Sequence, residues 1–173
     1  MNRLLSIGMA AGCLVLAGCG AMRTEATSTE LTDTTANNGV SSAANGKSAA
    51  LLSAFFGLDN GLFQVANLIC NGAAGKDGMP VIFSTEIDHR TMQAGDFKVT
   101  TASGKIGTMH CVSLLPATDA GELRTVLLIG EFGNADGDPP ARVEIVGNLN
   151  SIDGALNFKG AQVAVTPRAP GPT

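Results

Sequence analysis

Tryptophan and tyrosine are absent from the chain, and seven phenylalanines are its only aromatic residues. Surfaces that stack against sugars or antigens rely on Trp and Tyr, so a carbohydrate platform or a paratope-like face is not expected. Charge is also sparse. Charged residues make up 15% of the sequence, with 11 basic against 15 acidic side chains and a formal net charge of -4. No basic cluster occurs, which argues against nucleic-acid binding and against polybasic attachment to a membrane. No apolar run reaches the roughly 20 residues needed to span a bilayer as a helix. The chain also lacks C-x-x-C and G-x-S-x-G, so neither a dithiol redox motif nor a nucleophile elbow is present.

What the amino terminus does contain is a short export-type segment. Asn2 and Arg3 form a minimal positive region, and residues 4–16 are an apolar stretch followed by small residues. An ordinary signal peptide cut after a small-residue site is one reading. The pattern Leu16-Ala17-Gly18-Cys19 supports a sharper one, because it resembles the lipobox of bacterial lipoproteins. The resemblance implies removal of residues 1–18 and a lipid-bearing Cys19, with the membrane as a partner through that lipid. Two or three acyl chains, at about 0.8 kcal/mol per buried methylene, hold a protein to a bilayer for long times. Gly20 after the cysteine resembles sorting to the outer membrane in Gram-negative lipoproteins. Cys13 lies within the removed segment.

Removing Arg3 with that segment shifts the formal charge from -4 to -5 and leaves about 155 residues, enough for one domain with a core. Cys70 and Cys111 are then the remaining pair of cysteines, and in an oxidising compartment they are expected to form a disulfide. Residues 19–47 comprise the lipidated cysteine and a Thr-, Ser-, Ala-, Asn- and Gly-rich linker. Its few large apolar residues cannot offset the entropy of ordering, so a disordered tether is expected, spanning roughly 30 Å on average. Gly46-Lys47-Ser48 imitates the end of a phosphate loop, but Ser41 stands where that motif needs glycine.

From Leu51 the pattern changes to short apolar segments separated by turn residues. Residues 51–56 fit either a buried strand or a helical turn. Residues 80–87 are rich in β-branched side chains and read as a strand, followed by Asp88 as the cap of one helical turn through Met92. Further strands are expected around Phe97 and Val99, over residues 109–115 and 123–129, around Val143 and Ile145, and around Val163 and Val165. Turns at Asn71-Gly72, Lys76-Asp77-Gly78, Asp153-Gly154 and Lys159-Gly160 punctuate them. About seven short strands without a long helix predict an all-β fold, a single β-sandwich over residues 48–167 with a tail at 168–173.

Phe83-Ser84-Thr85-Glu86-Ile87-Asp88, Thr91-Met92 and Asp96-Phe97-Lys98-Val99 resemble the bacterial Ig-like domain of S-layer and other surface proteins. Val143-Glu144-Ile145-Val146-Gly147, Asp153-Gly154 and Gly160 are similar to that domain's closing strand and corner. The family's late-strand tyrosine and opening proline turn are missing here, and a Cys70–Cys111 pair is not one of its features. The resemblance implies an Ig-like β-sandwich at the cell surface or envelope. It implies neither a catalytic residue nor a particular ligand.

The search for chemistry yields little. A metal site needs three or four closely spaced ligands. His89 has Asp88 and Glu86 nearby, but strand alternation would put adjacent side chains on opposite faces. A satisfied or solvated histidine is therefore expected at both His89 and His110. Ser84, Ser103 and Ser113 carry no local sign of a catalytic triad. Asn134, Asp136 and Asp138 are calcium candidates at the end of a sandwich. Phe132 and Val143 occupy the first and twelfth positions that an EF-hand would need for ligands. A solvated hairpin loop is the plainer reading of the same residues. The expected function is therefore non-catalytic: a lipid-anchored module without a cofactor that binds or organises an envelope protein or polymer. Its contacts would come from loops at one end, with residues 133–140 as the candidate. A calcium-dependent adhesion or stability domain is the alternative, followed by an envelope hydrolase.

Overall fold

Alternation along β4 sets one buried face against one half-exposed face. In β4 (Phe97–Thr101), Phe97, Val99 and Thr101 are buried while Lys98 and Thr100 are not. The computed structural model describes residues 47–167, together with the backbone of a two-residue strand, β1 (Ala36–Asn37). Its other strands are β2 (Leu51–Phe56), β3 (Asp77–Phe83), β5 (Thr108–Ser113), β6 (Thr125–Glu131), β7 (Pro140–Ile145) and β8 (Gln162–Pro167). The fold is all-β, as the turn spacing predicts. The lipobox, nearly all of the expected tether and the 168–173 tail lie outside the described residues. Within the tether, β1 pairs antiparallel with β8 at Ala36–Val163 and Asn37–Gln162, occupying a β8 edge that would otherwise be open.

The strands follow the order β4-β7-β8-β2-β3-β6-β5, and β8 joins the two halves. Its first residues pair antiparallel with β7, from Glu144–Gln162 to Arg142–Ala164. Its last residues run parallel to β2, from Ala54–Val165 to Phe56–Pro167. One strand thus serves both layers of the sandwich. Between the layers, Phe83 of β3 meets Phe97 of β4 edge-on at 6.4 Å and Phe158 at 4.9 Å. The edge of one ring is thus directed at the face of another, the favoured aromatic arrangement. Leu51, Met79, Val81, Leu128, Val143, Ile145 and Leu149 belong to the same core, all fully buried.

Several boundaries differ from the sequence expectation for physical reasons. The ambiguous segment at 51–56 is a strand. The strand expected over residues 80–87 begins at Asp77 and ends at Phe83, with Ile87 making only an isolated bridge to Ser151. Asp77 and Gly78 read as a turn, yet β3 pairs with β6 from Asp77–Gly130 onward. Pro80 has no amide to donate, and the β2–β3 ladder stops one residue short of it, at Ala54–Val81. The proline thus falls in a gap of that ladder, before pairing resumes as an isolated bridge between Leu58 and Gly78. The strands expected at 109–115 and 123–129 shift to Thr108–Ser113 and Thr125–Glu131. Asp88 organises a hydrogen-bonded turn: its carboxylate accepts from the Arg90 amide, and its carbonyl accepts from Thr91. Two short 3-10 helices, Gln64–Leu68 and Ala94–Asp96, were not expected.

The segments that resemble the Ig-like pattern mostly stabilise turns. Thr91 Oγ1 donates to the Asp88 carbonyl and accepts from the Asn150 amide. Asp96 accepts the Gln93 amide through its side chain and the Val146 amide through its carbonyl. Asp153 accepts from Ser151 Oγ and the Ala155 amide.

Candidate functional site

Antiparallel pairing brings three connections to one end of the sandwich: β2–β3 (57–76), β4–β5 (102–107) and β6–β7 (132–139). Side chains tie the three together. Asp59 Oδ2 accepts the Ala135 amide at 2.8 Å, linking the first connection to the third. Asp138 links the third to the second, accepting from Thr101 Oγ1 at 2.9 Å, from Ser103 Oγ at 2.6 Å and from the Ser103 amide at 2.8 Å. Those hydroxyl and amide donors, with Lys105 nearby, hold the Asp138 carboxyl below the usual carboxylate value.

Beneath the loops lies a buried carboxylate. Asp77 is fully inaccessible; its Oδ1 accepts the Asn60 amide at 2.8 Å and its Oδ2 the Phe132 amide at 2.6 Å. Burial raises its pKa above the ordinary 3.8, against the lowering effect of these two amides. Gly130 and Gly133 permit the close approach of the chain here. A methyl group on Gly130 would strike the Thr108 carbonyl oxygen and the Phe132 ring. Gly133 has φ +125°, and a methyl there would meet the Asp138 carbonyl oxygen.

The 57–76 connection is the largest of the three and is pinned at many points. Cys70 is disulfide-bonded to Cys111 of β5, with the Cα atoms 6.7 Å apart. Register skips from Met109–Gly130 to Cys111–Ile129, so His110 occupies a bulge. From there its Nε2 hydrogen-bonds the Asn71 carbonyl at 2.8 Å. Asn67 Oδ1 accepts the Gly72 and Ala74 amides, and the Gly75 amide donates to the Leu62 carbonyl. Ala66 and Ala73 are buried with Ile129 in a small second core, against Leu62, Ile69, Cys70, Cys111 and Leu127. The other side of the same segment faces water: Phe63 is 77% exposed, Val65 65% and Leu68 86%. Residues 60–75 contain no charged side chain.

The candidate residues from the sequence fall into distinct places. Cys19 lies outside the described residues. Asn134 Oδ1 accepts the amides of Asp136 and Gly137 within its own loop, while Asp138 is committed to the β4–β5 connection. The calcium candidates thus have loop-building bonds on two of the three side chains. Ser84 Oγ donates to the Ser48 carbonyl, Ser103 Oγ to Asp138, and Ser113 Oγ accepts the Leu115 amide. Neither histidine is among these partners. Cys70, His110 and Cys111 are close enough to suggest a metal cluster, but both sulfurs are spent in the disulfide. An open concavity is lined by residues including Thr100, Ala102, Gly104, Ala141 and Ala164, and among the described residues that line it Arg142 is the charged one.

Sequence reasoning missed Phe63, Val65 and Leu68. The available signal was a 16-residue stretch without charge that retained large apolar residues between turn-forming Asn and Gly.

No protein-family model matches the chain, and no curated protein matches it. Among solved structures, the crystal structure of the S-layer protein rSbsC(31-844) is similar at 15% identity and a TM-score of 0.47. That similarity covers 72% of this chain and 14% of the S-layer chain.

Proposed function

We propose that this protein is a non-catalytic module of the bacterial envelope, lipid-anchored at Cys19, with an Ig-like sandwich that presents the 57–76, 102–107 and 132–139 connections to a partner. The observation that carries the reading is the Cys70–Cys111 disulfide, a bond of oxidising compartments, in a chain that begins with an export-type segment. Support for a binding rather than a catalytic role comes from the serines and acids of the loop end, whose polar atoms hold the loops to one another. Loops fixed on a rigid sandwich are suited to making contacts.

Intact-mass analysis of the protein recovered from membranes tests the anchor. The expected species begins at Cys19 and carries diacylglycerol, and Cys19→Ser should release the protein from the membrane fraction. A product that retains Met1 and an unmodified Cys19 thiol would overturn the reading. Crosslinking in intact envelopes from positions 135 and 136 is expected to capture a protein or polymer, and the chelator-independence of that capture would separate it from the calcium alternative.

A further inference from the structure

We propose that the exposed outer side of residues 61–68 inserts into the lipid bilayer, giving the protein a second membrane contact besides its amino-terminal anchor. The inference rests on the anchored-module reading above and specifies what one of its loops touches.

A surface loop with a buried inner side does not need a second apolar side. Ala66, Ala73, Leu62 and Ile69 already pack the segment onto Ile129 and Leu127. Phe63, Val65 and Leu68 are not part of that cluster and stand 77%, 65% and 86% exposed. Large apolar side chains grouped in this way mark an interaction site or a membrane contact. The disulfide, the Asn67 bonds and the His110–Asn71 bond keep the group presented instead of letting it collapse.

Two observations favour lipid as the occupant. The first is area: three side chains supply roughly half of the about 800 Å² per partner that a stable protein–protein interface buries. Insertion into lipid has no such threshold and requires no shape complementarity. The second is charge: residues 60–75 contain none, so no ion in the stretch has to be desolvated on entering the headgroup boundary. Apolar side chains of this kind settle about 5–10 Å into that boundary. The sandwich is entered at its opposite end, before β2, but this does not prevent contact. The span from Cys19 to Ala36, where β1 pairs with β8, can extend to roughly 55 Å, more than twice the length of a six-residue strand.

The absence of tryptophan from the chain provides a clean probe. The full, matured protein carrying Phe63→Trp is reconstituted on phosphatidylcholine vesicles, with Val65→Trp as a second variant should the first not fold. Flotation reports the anchor, and tryptophan emission reports the loop. The expected result is blue-shifted emission that is insensitive to salt and quenched by lipids brominated on their acyl chains. Leu68→Asp in the same background should lower the inserted fraction roughly tenfold. Floating protein with water-like, unquenched emission would overturn the inference and leave the anchor standing. Protein that neither floats nor changes emission would remove both. Blue emission that bromines do not quench, and that fades as protein is diluted among lipids, would assign the patch to a second copy and overturn the inference.

Discussion

Asp77 is the residue whose chemistry is least like that of a surface carboxylate. Both oxygens accept amides, one from each side of the loop end, yet burial raises its pKa. A raised value means that the folded state holds the proton more tightly than the unfolded chain. The group's contribution to stability is therefore fullest below 3.8 and declines as pH rises through the raised value. Asp77→Asn turns an amide donor toward one of two backbone donors and should cost about 1–3 kcal/mol. The difference from wild type should narrow with rising pH across that window, as followed by urea unfolding at several pH values. Phe83 is a simpler case. Its ring meets those of Phe97 and Phe158 between the layers, so Phe83→Ala should cost about 3–5 kcal/mol in the same assay.

At the scale of the element, the 57–76 connection depends on its crosslink. The disulfide spans a sequence separation of 41, for which the chain-entropy relation gives about 4 kcal/mol. The double variant Cys70→Ser, Cys111→Ser should lose stability of that order by denaturant unfolding, and limited proteolysis should then cut first within residues 61–75. Strands were the legible elements, because alternation over β4 and β7 and the apolar run of β6 report burial directly. The connection was not legible. Its outward-facing Phe63, Val65 and Leu68 are the same residue types that mark a core, and periodicity does not say which side they face. Asp77-Gly78 misled for a related reason: the residue pair of a tight turn becomes a strand when amides from elsewhere satisfy the carboxylate. The partnership between Asp138 and the β4–β5 connection joins residues 35 positions apart, which no local pattern encodes.

For the whole molecule, acid should act through the loop and turn carboxylates. Asp88, Asp138 and Asp153 have lowered pKa values, from Arg90, from Ser103 and from Ser151 respectively as the leading causes. Such groups stabilise the fold above the ordinary 3.8, and that contribution is lost as pH falls through their lowered values. Asp138→Asn should therefore be less stable than wild type at neutral pH, with the difference shrinking in acid, as measured by thermal melting. The neutral-pH loss should be seen first as weakened protection of the Ser103 amide from hydrogen exchange, because that amide donates to Asp138.

The parallel pairing of β2 with β8 also has a mechanical consequence. The start of β2 and the end of β8 lie at opposite ends of neighbouring strands that run the same way. Tension applied between Ser48 and Pro167 would slide the two strands lengthwise, loading their hydrogen bonds together instead of peeling them apart one at a time. Against a load applied across those two points, the β2–β8 seam would act as a mechanical clamp.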